Sequence, residues 1–153
     1  MSYAQIAKHT LEILEQQSYI GPDGATIDLS EDLRDCLDHT RCYGPRDLER
    51  LRDQLARASQ PAKRSTRFEV LNETTLEGAK RLATDEGYAS VGVLNFASAT
   101  NPGGGFINGA TAQEETLARS SALYSSLRQC PGFYEYHRAH RSSLYSPRMI
   151  WSP

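Results

Sequence analysis

The sequence has no excess of positive charge and no long apolar run. Its 153 residues carry 17 Lys and Arg against 19 Asp and Glu, which gives a formal net charge of −2. Because non-specific nucleic-acid binding depends on a field of positive charge, no direct nucleic-acid binding is expected. No stretch approaches the roughly 18 apolar residues that a membrane span requires, so no membrane association is expected.

Cysteine is scarce, and its placement gives no metal or redox motif. The three cysteines are Cys36, Cys42 and Cys130, and no two of them form a C-x-x-C pair. An odd number of cysteines in a chain without a signal peptide indicates reduced thiols, which predicts a cytoplasmic or nuclear protein. His137 and His140 lie three residues apart, but no acid or cysteine lies nearby at ligand spacing, so no metal site is predicted.

A chain of this length is expected to form a single domain over residues 1–153, with a helical N-terminal region over about residues 1–60. Apolar residues at helical spacing predict an amphipathic helix from Tyr3 to Leu14. A short strand is predicted at Thr26 to Leu29, followed by a second helix with Ser30 as its N-cap. Pro45 is predicted in the first turn of a third helix, and Gln60 to Thr66 is predicted to form a loop.

The middle of the chain predicts a strand, a helix and a second strand. Phe68 to Leu71 and Ala89 to Phe96 have the apolar character of strands, and Thr75 to Glu86 has helical periodicity. Thr74 and Glu77 match the T-x-x-E capping box that opens such a helix. A connection of this length between neighbouring strands is typical of a βαβ unit, so an α/β fold with its core and central loop at about residues 67–130 is predicted.

The most informative stretch follows the second predicted strand. It contains Asn95, then Asn101-Pro102-Gly103-Gly104-Gly105, and then Gln113-Glu114-Glu115 at the start of a helix predicted to continue to Cys130. Ligands of α/β sheets bind beyond the carboxyl ends of strands, where this loop begins. The loop fits neither the P-loop nor the dinucleotide-binding pattern. It is either a flexible turn or a wall whose backbone N–H groups a ligand can approach.

The paired acids also allow two interpretations. Glu114 and Glu115 either stabilise the start of the helix through its dipole or take part in chemistry. Adjacent helical side chains point about 100° apart, so the two carboxylates are not expected to flank one bond from opposite sides. Different roles are therefore predicted for them. The aromatic cluster that follows, Phe133, Tyr134, Tyr136 and Tyr145, either packs against the helix or lines a substrate face.

The pattern of Asn95, the Asn101-to-Gly105 loop and the Gln113-Glu114-Glu115 triplet resembles the signature of microbial-type poly(ADP-ribose) glycohydrolases. The resemblance implies a macrodomain-like, three-layer α/β/α fold with a mixed central sheet, incomplete here at the C-terminus. It also implies hydrolysis of the ribose–ribose O-glycosidic bonds of poly(ADP-ribose), with release of ADP-ribose and without a cofactor. Poly(ADP-ribose), ADP-ribose and ADP-ribosylated proteins are the implied partners.

The same resemblance implies that Glu115 is the acid and base of the reaction and that Glu114 holds the hydroxyls of the ribose being cleaved. Gly103, Gly104 and Gly105 are expected to bind the substrate through their backbone. Gln113 is expected to steady the loop or cap its helix. Asn95 and Asn101 either contact ribose or form the turn.

Two alternatives to the enzyme remain at this point. One is a macrodomain-like module that binds ADP-ribose without hydrolysing it. The other is an inactive fragment, because Met149 to Pro153 has the character of a strand that has just begun. With few strands and an unpaired sheet edge, this chain is expected to be less stable and more prone to aggregation than a version extended beyond Pro153.

Overall fold

The computed structural model describes residues 1–58, 65–140, 142 and 144–153. The chain forms two compact units, one of Met1–Leu48 together with Phe96–Pro153, and one of Glu49–Asn95. The first unit contains the glycine loop and the paired acids. Most of the loop predicted at Gln60 to Thr66 lies outside the described residues.

The described elements are predominantly helical, with four short strands. In chain order they are α1 (Tyr3–Gln16), β1 (Ser18–Ile20), β2 (Thr26–Asp28), α2 (Ser30–His39), β3 (Arg41–Tyr43), α3 (Pro45–Ala58), α4 (Thr75–Lys80), α5 (Gln113–Ser120), α6 (Leu123–Leu127), α7 (Pro131–Ala139) and β4 (Met149–Trp151). Strand β1 pairs with β2, and β3 pairs with β4, both antiparallel. The protein is therefore a mixed α/β structure. In the part of the chain described, no helix is long and apolar enough to cross a membrane.

Helix α1 forms where the apolar periodicity predicts it and supplies part of the core beneath the glycine loop. It begins with a capping box in which the Gln5 backbone N–H donates to Ser2 Oγ and the Ser2 N–H donates to Gln5 Oε1. Ala7 is fully buried against Phe106 and Ala118. The amphipathic face of α1 thus packs against the elements that present the paired acids.

Helix α2 begins one residue earlier than predicted, because Ser30 is its first residue and not its N-cap. The N-cap residue is Leu29, which makes no side-chain capping bond. Asp28 Oδ1 instead accepts a hydrogen bond from the Ser30 backbone N–H at 2.8 Å. That hydrogen bond lowers the pKa of Asp28 from its ordinary value. The Asp28 carboxylate, and not the Ser30 hydroxyl, therefore accepts a backbone hydrogen bond at the start of α2.

The capping box predicted for α4 is confirmed. The Glu77 backbone N–H donates to Thr74 Oγ1, and the Thr74 backbone N–H donates to Glu77 Oε2. After Lys80 the helix continues as a π-helical turn, Arg81–Asp85. The chain then leaves the helix through Gly87, whose φ is +69°.

The two strands predicted on either side of α4 are wrong for the described residues. Phe68 to Leu71 and Ala89 to Phe96 have no ladder partner there, and the βαβ unit is absent. Phe68 is 88% exposed and Leu94 is 75% exposed. Apolar composition indicates that a segment needs to be covered, but a strand forms only when a neighbouring segment accepts and donates its backbone hydrogen bonds.

The prediction that all three thiols are reduced is also wrong. Cys42 in β3 and Cys130 immediately before α7 form a disulfide, with their Cα atoms 5.6 Å apart. Cys36 remains free. The two bonded cysteines are separated by 88 residues, so their proximity is a property of the tertiary fold that sequence spacing does not reveal.

The helix predicted to run from Gln113 to Cys130 is interrupted at Ser121. This residue is extended, with φ −157° and ψ 179°, and separates α5 from α6. Its hydroxyl donates to the carbonyl of Leu117 and accepts from the N–H of Leu123. The serine side chain therefore competes with the backbone for helical hydrogen bonds, which explains the break.

Candidate active site

The glycine loop is a defined structure and not a freely flexible turn. Gly103 and Gly104 both have positive φ, +70° and +58°. The Gly104 N–H donates to the carbonyl of Asn101 at 3.0 Å and closes the turn. Two consecutive residues in the left-handed region favour glycine at both positions, because other side chains are strained there.

Gly104 is required for a second reason, which is the close approach of the carboxyl groups. A Cβ atom at this position would lie 2.8 Å from Glu115 Cδ and 3.4 Å from Glu114 Oε2. The two acidic side chains therefore pack against the same piece of backbone. The loop and the start of α5 form a single site.

The two carboxylates have different surroundings. Glu115 is partly exposed, and its Oε1 accepts a hydrogen bond from the Gly105 N–H at 3.0 Å. Glu114 is only 2% exposed, and its Oε2 accepts a hydrogen bond from the Ser98 N–H at 2.7 Å. One carboxylate is thus open to a ligand from solvent, whereas the other is held inside the protein.

Gln113 connects the start of α5 to the chain that enters the loop. Its Oε1 accepts a hydrogen bond from the Phe96 N–H at 2.7 Å. The N-cap of α5 is Ala112, which has no side chain able to cap. Of the two roles predicted for Gln113, steadying the chain before the loop matches this contact.

The other end of the glycine loop is anchored in the core. Phe106 is fully buried, and its ring lies 4.9 Å from the ring of Tyr124. Gly103 lies against the same two rings, since a Cβ there would be 2.9 Å from the Phe106 ring and 3.3 Å from that of Tyr124. Burial of the aromatic ring therefore fixes the position of the loop.

Most of the predicted site residues meet in this unit. The structure brings together the three glycines and all of Gln113, Glu114 and Glu115. Asn101 takes part through its carbonyl, and its side chain donates to Thr100 Oγ1 at 3.3 Å, so its contacts are those of turn formation. Asn95 is half-buried and belongs to the second unit, and its contact with ribose stays a prediction.

Two residues near Glu114 were not singled out as site residues from the sequence. Ser98 supplies the N–H to Glu114, and its position directly after the apolar run is the signal that could have identified it. Tyr134 is 2% exposed, and in the described part of the chain its hydroxyl has no hydrogen-bond partner. Burial, and then the negative charge of Glu114, raise the pKa of Tyr134, so this side chain stays neutral.

A cavity of about 490 Å³ adjoins this region on the side of Ser98. Its lining includes Thr100, His137, Arg138 and Tyr145. Arg138 fixes one wall, since its Nη1 donates to the carbonyl of Thr100 at 2.7 Å. The volume lies within the range of small-molecule pockets, roughly 300–1,000 Å³, and most of the lining residues are polar.

The chain is similar in sequence and in structure to known proteins. The family profile "Microbial-type PARG, catalytic domain" matches residues 7–153. The crystal structure of poly(ADP-ribose) glycohydrolase from Thermomonospora curvata is 47% identical, with a TM-score of 0.89 over 99% of this chain and 54% of that one. A second structure of that enzyme, bound to the inhibitor ADP-HPD, is 44% identical, with a TM-score of 0.86 over 99% of this chain and 52% of that one.

A more distant neighbour is poly(ADP-ribose) glycohydrolase from Deinococcus radiodurans in complex with ADP-ribose. It is 43% identical, with a TM-score of 0.67 over 79% of this chain and 47% of that one. No curated protein sequence matches the chain. The chain spans about half the length of the solved structures it resembles. The match over residues 7–153 shows that the chain belongs to the microbial-type PARG catalytic-domain family.

Proposed function

We propose that this protein hydrolyses the ribose–ribose O-glycosidic bonds of poly(ADP-ribose) and releases ADP-ribose. The observation that carries the proposal is the pair of carboxylates against Gly104, one partly exposed and one buried, each receiving a backbone N–H. The identity to poly(ADP-ribose) glycohydrolases, including structures holding ADP-ribose and the inhibitor ADP-HPD, supports the choice of substrate.

In the proposed mechanism Glu115 is the acid and then the base. Its proton goes to the ribose oxygen that leaves, and the glycosidic bond breaks as positive charge develops on the ribose carbon. The resulting carboxylate then takes a proton from the water that adds to this carbon. The atoms balance, because one water is consumed and one hydroxyl forms on each product.

Glu114 and the loop are proposed to position the substrate. Glu114 accepts hydrogen bonds from the hydroxyls of the ribose being cleaved, and its burial restricts its motion. The backbone of Gly103, Gly104 and Gly105 forms the wall against ribose and phosphate, where the lack of side chains permits close approach. Asn95 and Asn101 contact ribose or maintain the loop. No cofactor enters this scheme.

We further propose that residues 1–153 form the N-terminal portion of a macrodomain-like, three-layer α/β/α catalytic domain with a mixed central sheet. The 47% identity to a solved poly(ADP-ribose) glycohydrolase, of which this chain covers 54%, supports this arrangement. The proposal includes one helical region at about residues 1–60 and a catalytic region at about residues 67–130. ADP-ribosylated proteins in the cytoplasm or nucleus are the proposed targets.

A second function is a module that binds ADP-ribose without hydrolysing it. The observation that favours it is the short length of this chain, which spans about half of each relative that has ADP-ribose or ADP-HPD bound. The position of Glu115 argues for the enzyme, because a pure binding module needs no partly exposed acid at this place.

The test is to incubate the purified chain with poly(ADP-ribose) and quantify the ADP-ribose released. We expect release by the wild type, loss of at least about a hundredfold in rate in Glu115→Gln, and no change in Glu135→Gln, an exposed glutamate on α7. Binding of ADP-ribose without release by the wild type would favour the binding module. If the wild type neither binds nor releases ADP-ribose, that result would contradict both functions for this chain.

A further inference from the structure

Arg119, in the last turn of α5, is a buried cation whose hydrogen-bond acceptors are neutral in the part of the chain that the structure describes. It is 7% exposed, and within the described residues it forms no ion pair with a carboxylate. Removing a charge from water is unfavourable unless hydrogen bonds and neighbouring charges compensate for it. The contacts of this guanidinium should therefore explain why it is buried.

Those contacts join α5 to the segment that precedes it and to helix α1. Arg119 Nη1 donates to the carbonyl of Ala110, and Nη2 donates to Thr116 Oγ1 at 3.3 Å. The guanidinium carbon lies 4.8 Å from the ring centroid of Tyr3 in α1, close enough for a cation–π interaction. Thr10 completes the anchor by donating to the carbonyl of Arg119 at 2.6 Å.

Ala110 connects this anchor to the carboxylate of Glu115. The Ala110 N–H donates to the carbonyl of Gly105 at 3.2 Å, and the Gly105 N–H donates to Glu115 Oε1 at 3.0 Å. The hydrogen bonds thus lead from Arg119 through two loop residues to Glu115, which lies on the first turn of the same helix. Together with the backbone of α5 between Glu115 and Arg119, they form a closed ring.

We propose that Arg119 is a positioning residue that holds Gly105 where its N–H meets the carboxylate of Glu115. The proposal rests on the proposed function only in that Glu115 is the acid of that reaction. A guanidinium suits this task because its planar fork reaches two acceptors while its face stacks on an aromatic ring. Lysine would keep the charge but would lose that geometry.

The first test measures hydrogen exchange of individual backbone amides by NMR. In Arg119→Gln we expect exchange of the Gly105 amide to accelerate at least about tenfold relative to that of Ser98, because the carbonyl of Ala110 loses its partner. The Ser98 amide is an internal reference, since it donates to Glu114 and lies outside the ring of hydrogen bonds. Arg34→Gln, an exposed arginine on α2, is the control and should leave both rates unchanged.

A role in stability alone would accelerate exchange at Gly105 and Ser98 equally, and that result would overturn the proposal. If Arg119→Gln does not fold, Arg119→Lys and Thr116→Val test the same proposal. Arg119→Lys should show the same selective loss at Gly105, and Thr116→Val a smaller one. Normal protection of Gly105 in Arg119→Lys would also overturn the proposal.

The second test separates this inference from the proposed function. In Arg119→Lys the rate constant for ADP-ribose release should fall about ten- to a hundredfold, whereas the Kd for ADP-ribose should change less than about threefold. Selective loss of Gly105 protection in a chain whose wild type releases no ADP-ribose would support the positioning role and contradict the proposed function. Release at the wild-type rate by Arg119→Lys would contradict the positioning role and leave the function intact.

Discussion

Replacement of Gly104 should displace the glycine loop from the carboxylates of Glu114 and Glu115. Its positive φ is one constraint, and the two carboxylates that lie against its Cα are another. The sequence identified the three glycines and both acids. It did not reveal that they touch, because the contact depends on the loop conformation set by Phe106 in the core.

We predict that Gly104→Ala displaces the carboxylate of Glu115 and abolishes ADP-ribose release. Its free energy of unfolding should fall by more than that of Gly24→Ala, which is the matched control. Gly24 also has positive φ but has open space around its Cα, so alanine there costs only about 1–2 kcal/mol of backbone strain. Urea unfolding measures the loss of stability, and the release assay measures the loss of activity. Equal losses of stability in the two variants, with release unchanged, would refute the contact.

At the scale of elements, local signals predicted the helices better than the strands. The periodicity of α1 and the capping box of α4 are properties of a few neighbouring residues, and both predictions are confirmed. The break at Ser121 was missed because a serine inside a helical pattern gives little warning that its hydroxyl will compete with the backbone. The failed strands at Phe68 to Leu71 and Ala89 to Phe96 depend on partner segments, which local patterns do not specify.

The capping box of α4 leads to a prediction about pH. The hydrogen bond from the Thr74 backbone N–H lowers the pKa of Glu77 from its ordinary value of about 4.3. Because the carboxylate is favoured in the folded state, its stabilising effect is fully present above that value. The effect is lost as the pH falls through the lowered pKa.

We therefore expect the α4 amides to exchange faster at pH 3 than at pH 6, after correction for intrinsic exchange rates. Glu77→Gln should reduce this pH dependence, because a glutamine does not titrate. Glu49→Gln, an exposed glutamate on α3, is the control and should retain it. A pH dependence of the same size in Glu77→Gln and the wild type would contradict the role of the cap.

At the scale of the whole molecule, the disulfide is the feature that sequence reasoning predicted wrongly. The count and spacing of cysteines indicated reduced thiols, yet the fold brings Cys42 and Cys130 together. The mixed α/β class was correct in outline, and the family signature covered the glycine loop and α5. The division into two units was not predicted, since it reflects contacts between distant segments.

We predict that breaking the disulfide destabilises the protein. A crosslink across 88 residues restricts the unfolded chain, so Cys42→Ser should lower the free energy of unfolding by about 2–5 kcal/mol. Thermal unfolding with and without a reductant measures this. The reductant should lower the midpoint of the wild type and of Cys36→Ser but not that of Cys42→Ser. A wild-type midpoint insensitive to full reduction would show that the bond contributes no stability.

The two adjacent glutamates are expected to have different tasks, and one comparison tests this most directly. Calorimetry with ADP-ribose is performed on the wild type, Glu114→Gln and Glu115→Gln, beside the release assay on poly(ADP-ribose). We predict that Glu114→Gln binds ADP-ribose at least about tenfold more weakly. Glu115→Gln should bind within about threefold of the wild type and release nothing. Equal losses of affinity in both variants, or release by Glu115→Gln at the wild-type rate, would contradict the account.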